Sequence, residues 1–287
     1  MPVKVLIMSD VHLCQGTWYG PTSEERMEKM IADLNAAYDQ EPYEAIFFLG
    51  DYSLDHWKYE NKGSYLSQGV SNTQRLVRDY LPRLKCAECR LIPGNHEQYG
   101  HEKWRELTGG ERQFAVEKGG YLFLMLDTFA GDLDPDFDSD GTYTGADVDF
   151  IRTEMENHPD MPVILCAHFF DMRRESPLFF DLVKNESRIL CLFCGHDHLN
   201  RVEAPAALGG KLIIHDGHFS YTGFPNPACC PWGWVEMHLC DEGVMCAYAF
   251  PASVMNVEKG SAVIPAGKGP LIQISRDPDQ PFFPFRR

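Results

Sequence analysis

Five short apolar runs in this 287-residue chain each end in a residue that can bind a metal ion. VLIMSD-V-H supplies Asp10 and His12, IFFLGD supplies Asp51, LIPGNHE supplies Asn95 and His96, VILCAH supplies His168, and LFCGHDH supplies His196 and His198. One such residue after a strand is ordinarily a turn former or a hydrogen-bonded packing group. Five runs ending this way point elsewhere, because strands of an open α/β sheet end along one edge and the residues that follow them converge in space. Carboxylates, an amide oxygen and imidazoles form a hard-to-borderline donor set, suited to Mn, Fe, Zn, Co or Ni rather than to a thiolate-selecting metal. Asp10, His12, Asp51, Asn95, His168, His196 and His198 are too many donors for one ion, which implies two divalent ions and a shared carboxylate. Gly50, Gly94 and Gly195 beside them let backbone approach an ion closely.

Other groups could do lesser chemistry. Asp136-x-Asp138-x-Asp140-Gly141, with Asp147 six residues on and a helix after it, fits the spacing of a calcium loop with Asp in place of the usual final Glu. No incoming helix is evident and Asp132 and Asp134 add charge, so the alternative is a solvated acidic loop. A polar, aromatic segment after Asp51 holds His56, Trp57, Tyr59 and Tyr65 and is long enough to overhang the metals. Its His56 and Trp57 are candidate substrate contacts, with a small loop core as the alternative for the aromatics. His218 follows another strand and is a candidate substrate contact rather than a ligand. Cys191 and Cys194 imitate a zinc pair, but residues three apart on a strand face opposite sides. Cys86 and Cys89 lie between a helix end and a strand with no partner pair, which also argues against a zinc ribbon.

The elements that must position these residues alternate between β-rich runs and helical patterns, the signature of a layered α/β fold. The runs are Val3 to Met8, Ala45 to Leu49, Arg90 to Ile92, Tyr121 to Leu126, Pro162 to Ala167, Arg188 to Cys194 and Lys211 to Ile214. Thr22-x-x-Glu25 predicts a capping box, followed by Met27, Met30, Ile31, Leu34 and Tyr38 at helical spacing. Further helices are expected after Asn72, after Thr144 until His158-Pro159, and from Ser176-Pro177. Trp232 to Leu239 and Val244 to Phe250 predict a hairpin about Asp241-Glu242-Gly243. We read 1–250 as a catalytic domain and 251–287 as a C-terminal extension, with Phe282, Phe283 and Phe285 anchoring the tail on the core.

Asp10-Val11-His12, Gly50-Asp51, Gly94-Asn95-His96-Glu97, His168 and Gly195-His196-Asp197-His198, in this order over about the first 200 residues, resemble the motif set of the calcineurin-like metallophosphoesterases. The resemblance implies a four-layer αββα sandwich of two mixed sheets with a dinuclear site at one end. By motif position, Asp10, His12 and His198 would bind one ion, Asn95, His168 and His196 the other, and Asp51 would bridge them. The activity implied is hydrolysis of a phosphodiester or phosphomonoester by a metal-bound hydroxide, two ions neutralising charge at phosphorus. His96 would be the acid residue, stabilising the transition state or protonating the leaving oxygen, and Glu97 or Asp55 could orient it, with solvated loop carboxylates as the equal alternative for both. Leu54 stands where purple acid phosphatases carry an iron-binding Tyr, Tyr52-Ser53-Leu54-Asp55 lacks the Asp-Arg-Gly of Ser/Thr protein phosphatases, and His96 departs from the lipid-A-type diphosphate hydrolases. The chain is most similar to the cyclic-nucleotide-phosphodiesterase-like branch, through Leu126-Asp127 and the loop, Gly and helix that follow, although Phe169 stands where that branch often has a second His.

Composition narrows the partners. Lys plus Arg number 26 against 42 Asp plus Glu, a formal charge of −16, so non-specific duplex binding is disfavoured and a nuclease is the lesser enzyme reading. The other alternative, a non-catalytic scaffold on the same fold, is opposed by the filled ligand positions. No run approaches the roughly 20 apolar residues that span a bilayer. Ten cysteines without a secretory signal point to free thiols and a cytoplasmic location.

Overall fold

The computed structural model describes residues 2–14, 21–56, 70–131, 141–220, 231–257 and 260–277. The chain opens with β1 (Val3–Met8), α1 (Ser23–Gln40) and β2 (Ala45–Phe48). Helix α1 starts where the capping box places it: Glu25 N–H donates to the Thr22 hydroxyl and Thr22 N–H to the Glu25 carboxylate. A short α2 (Asn72–Arg75) runs into a π-turn over Leu76–Tyr80 before β3 (Cys89–Leu91), α3 (His101–Thr108), β4 (Phe114–Lys118) and β5 (Tyr121–Leu126). Next come α4 (Val148–Asn157), β6 (Val163–Ala167), α5 (Pro177–Asn185), β7 (Ile189–Cys194), β8 (Asn200–Glu203) and β9 (Leu212–Asp216). The chain continues with β10 (Trp234–Leu239), β11 (Gly243–Phe250), β12 (Ser253–Val257), β13 (Gly260–Ile264), β14 (Gly267–Lys268) and β15 (Ile272–Ser275).

Two sheets result. The first has the order β14-β11-β10-β1-β2-β3, with β15 also on β11; the second has the order β4-β5-β6-β7-β9-β8. Strands β1, β2 and β3 are parallel, as are β5, β6, β7 and β9, while the hairpin β10-β11 and the edges β4 and β8 run antiparallel. Strand alternation sorts the side chains into layers. Val5, Ile7 and Phe47 meet Phe123, Ile164 and Phe193 between the sheets. Leu6, Met8 and Phe48 face α1 and its Met27 and Met30 on one outside, and Leu124, Leu165 and Leu192 face α4 and α5 on the other. This is a four-layer αββα sandwich. Cys191 packs between the sheets and Cys194 on the outer side, as opposite faces of one strand require.

The main consequence for function is where strands end. β1, β2 and β3 of the first sheet and β6, β7 and β9 of the second all lead into loops bearing the candidate residues, so the two sheets meet at one edge of the sandwich. Segments 57–69, 132–140 and 278–287, which carry Trp57, Tyr59, Tyr65, Asp132, Asp134, Asp136, Asp138, Asp140, Phe282, Phe283 and Phe285, lie outside the described residues. No described helix is long and apolar enough to cross a membrane.

Candidate metal centre

The loop after β1 is zipped to the loop after β2 by backbone bonds from Asp10 N–H to Gly50 O and His12 N–H to Asp51 O, both 3.0 Å. Arg26 of α1 reinforces it, donating from buried Nη1 to the carbonyls of Val11 and Phe219 and from Nη2 to that of His12. Gly50, at φ +99°, is the hinge: a Cβ there would come within 2.6 Å of Gly94 Cα and 2.8 Å of His168 Nδ1. Asp10, His12, Asp51, His196 and His198 all have φ between +47° and +69°, and they are the non-glycine residues described with positive φ. This left-handed backbone costs roughly 1–3 kcal/mol per residue and persists where surrounding structure over-determines it. The strain is confined to candidate ligands.

The side chains converge accordingly. Asp10, His12 and His198 form one group whose ligand atoms lie within 4.8 Å of one another, and Asp51, His168 and His196 form a second. His12, Asp51 and His96 make a third group at the same limit, joining the two. Asp51 Oδ2 lies 3.3 Å from His12 Nε2 and 3.3 Å from His168 Nε2. It therefore sits between the groups. Asn95 Oδ1 lies 2.8 Å from His168 Nε2 and 3.0 Å from His196 Nδ1, and those two ring nitrogens are 3.3 Å apart. His168 Nδ1 donates to Leu49 O at 2.7 Å, which fixes the tautomer and turns Nε2 inward.

The electrostatics of the cluster suit metal ions. Burial resists charge on Asp10 and Asp51, yet the facing imidazoles hold both carboxyls well below their usual range. Burial likewise works against protonating His168, but Asp51 beside it lifts the imidazole to about 10. The cluster thus draws in positive charge, and it takes protons when nothing else supplies it. Asp10 Oδ1, fully buried, accepts no hydrogen bond from the described residues while facing His198 Nε2 at 3.2 Å and His12 Nε2 at 3.6 Å. Oxygen and nitrogen lone pairs in this arrangement fit two divalent cations of the borderline class.

His96 is buried, its backbone N–H donates to Asp51 Oδ1 at 3.1 Å, its Nε2 is 3.7 Å from Asp51 Oδ2, and its ring meets His12 edge-on. Burial pushes its pKa down to about 4 despite the Asp51 charge. Glu97, expected as an orienter of His96 or a solvated loop carboxylate, is instead fully buried and accepts from the backbone N–H groups of Asp51, Tyr52, Ser53 and Gly94 at 2.8–3.0 Å. Burial and the nearby Asp51 charge raise it to about 7 against those four donors. Asp55 is also buried rather than solvated, and accepts from Ser71, Asn72 and Tyr99.

His56, at the rim, places Nδ1 3.2 Å from both Gln98 N and His96 O. His218 is buried and stacks on His198 with centroids 5.1 Å apart. Asp147 caps α4, accepting from Phe150 N–H at 3.0 Å; its companions in the calcium spacing, Asp136, Asp138 and Asp140, are outside the described residues. Two contributors escaped the sequence reading. The Ser9 hydroxyl donates to Asp10 Oδ2 and lies 2.7 Å from Oδ1 of the buried Asp216. Asp216 ends the apolar run LIIHD, so it carried the same strand-end signal as the ligands.

Residues 3–200 match the family model described as calcineurin-like phosphoesterase. The chain belongs to this family. No curated protein sequence matches it. Among solved structures it is similar to purple acid phosphatase PPD1 from yellow lupin (Lupinus luteus) seeds, at 12% identity and TM-score 0.49 over 92% of this chain and 54% of that one. The chain thus spans about half the length of that enzyme. It is also similar to Chaetomium thermophilum Vps29, at 12% identity and TM-score 0.42 over 96% and 99% of the two chains. A third similar structure is TT1561 of Thermus thermophilus, at 12% identity and TM-score 0.47 over 83% and 95%.

Proposed function

We propose that this member of the calcineurin-like phosphoesterases is a dinuclear metal-dependent hydrolase of a small phosphate ester, with a diester preferred to a monoester. The observation that carries the reading is the Asp51 carboxylate, 3.3 Å from an imidazole of each donor group. Asp10, His12 and His198 would hold one ion, Asn95, His168 and His196 the other, and Asp51 both. When bound, such ions supply Lewis acidity to phosphoryl oxygens and a water acidified to near neutral pH. Mn, Fe and Zn all suit these donors.

The chain's own residues do the rest. The strained loops hold the ligands in place before substrate arrives, so no reorganisation accompanies reaction. His96, neutral at pH 7 through burial, offers an imidazole N–H to a phosphoryl or leaving oxygen beside Asp51. Two arginines behind the site are occupied elsewhere, Arg26 by backbone carbonyls and Arg112 by Asp127. That favours a diester monoanion, which asks for fewer cationic contacts than a monoester dianion.

The test is a rate comparison on chromogenic phosphodiester and phosphomonoester substrates, using metal-stripped protein reconstituted with manganese. Faster diester turnover, abolished by Asp51→Asn, is the expected result, and metal-independent turnover would refute the reading. His96→Ala should lower kcat by roughly 10²-fold or more with metal content retained; equal loss of metal would make His96 a ligand instead.

A further inference from the structure

Beside the Asn95, His168 and His196 group stands a wall of three aromatic rings. Phe169, the residue after His168, packs its ring on His196 with centroids 4.4 Å apart. Phe129 lies behind, 5.9 Å from His168 and 6.3 Å from His196, and Tyr143 closes the set at 5.4 Å from Phe129 and 6.0 Å from Phe169. Phe129 and Tyr143 are buried, whereas Phe169 is partly exposed. The partly exposed phenyl ring therefore borders a cluster of otherwise polar donors.

The wall is rigid. Phe129 and Tyr143 form a β-bridge, flanked by bonds from Ala130 N–H to Thr142 O at 2.8 Å and from Thr144 N–H to Thr128 O at 2.9 Å. The Thr128 hydroxyl donates to Phe169 O at 3.0 Å, tying the third ring to the same bridge. Tyr143 donates its own hydroxyl to the buried Glu175 and accepts from Asp171 N–H at 3.0 Å. A ring held this way loses little freedom when something stacks on it, and a phenyl face has no hydrogen bond to offer a phosphoryl oxygen.

We propose that Phe169 is the specificity-determining residue of this site, with its partly exposed ring receiving the planar aromatic portion of the ester, aryl or nucleobase, while the phosphate lies at the donor groups. The proposal rests on the phosphoesterase reading and adds the chemical class of the group attached to phosphate.

Calorimetry on the manganese-loaded protein with phenyl phosphate and methyl phosphate separates the possibilities, since both carry the same charge. Wild type should bind phenyl phosphate roughly tenfold more tightly, the size of one aromatic stacking contact. Phe169→Leu, which keeps apolar bulk but removes the π face, and Phe169→Ala should both erase most of that difference and leave methyl phosphate binding within about twofold, while Phe169→Trp preserves it. Equal binding of the two ligands by wild type, or a preference that survives in Phe169→Ala, would overturn the proposal and leave the phosphoesterase reading intact. Loss of both ligands alike in Phe169→Ala and Phe169→Leu would make Phe169 a support for His196 and also overturn it. Failure of wild type to bind either ligand would overturn the proposal, whereas the phosphoesterase reading stands or falls on the diester rate comparison.

Discussion

Ser9 has one hydroxyl proton and two carboxylates beside it. Burial, and then the charge of Asp10, push the Asp216 carboxyl well above its usual range, and Ser9 Oγ lies 2.7 Å from its Oδ1. Ser9 also donates to Asp10 Oδ2. This chain holds Asp10 Oδ2 in place and leaves Oδ1 facing His12 and His198. Ser9→Ala should therefore weaken manganese binding by roughly tenfold or more, the usual cost of removing a group that orients a ligand; chelator competition measures it, and unchanged affinity would remove Ser9 from the site. His168 gives the pH prediction. Its ordinary value of 6.5 rises to about 10 in the fold, so its protonation stabilises the metal-free protein fully below pH 6.5, and that contribution is lost as pH climbs towards 10. Metal-free protein should show a falling thermal midpoint across that window. A bound ion displaces the proton, so the metal-loaded protein should lose less, and loading at pH 7 should release protons to a weakly buffered indicator.

At the scale of elements, placing Asp51 falls to two loops rather than to a strand. Glu97 joins them by accepting from four backbone N–H groups at 2.8–3.0 Å on both sides of the β2 and β3 ends. Glu97→Ala leaves those donors buried and unmatched, which should cost on the order of 3 kcal/mol or more in urea unfolding and weaken metal binding with it. Ser176→Ala makes a useful contrast: it removes the cap of α5, a hydroxyl that accepts from Phe179 N–H at 3.1 Å, and should cost about 1 kcal/mol with metal affinity unchanged. Equal effects of the two on metal would mean that Glu97 serves only stability. The same contrast explains what was legible in the sequence. Strands β1, β2, β5, β6 and β7 are almost wholly buried, so their apolar runs stand out and their ends announce the candidate ligands. Strand β4, mostly half-buried at an edge, and α3, which buries only Trp104 and Leu107 behind a Gly100 cap with no side-chain bond, leave no such periodicity. Glu97 looked like a loop carboxylate because its partners are backbone groups, which leave no mark on neighbouring side-chain types.

The site belongs to the whole molecule because each ligand group draws on both sheets: Asp10 and His12 from the first meet His198 from the second, and Asn95 from the first meets His168 and His196 from the second. Metal bound there should stabilise the packed sandwich as a unit, by RT ln(1 + [L]/Kd), and chelation should lower a single cooperative transition rather than detach one sheet. Net charge then sets how substrate arrives. A chain at −16 repels an anionic ester at long range, and screening relieves that repulsion as the Debye length shrinks from about 30 Å at 0.01 M salt to about 8 Å at 0.15 M. KM for a small phosphodiester should accordingly fall, or stay level, as salt is raised through that range, with kcat unchanged. A nuclease would behave in the opposite way, because polynucleotide affinity depends on phosphate contacts that release counterions and weaken steeply with salt. Measuring KM at several salt concentrations, for the small ester and for an oligonucleotide, therefore separates the two readings by the sign of a slope. A steep rise in KM with salt for a cleaved oligonucleotide would move the assignment to a nuclease, and would require a local positive surface that overcomes the overall charge.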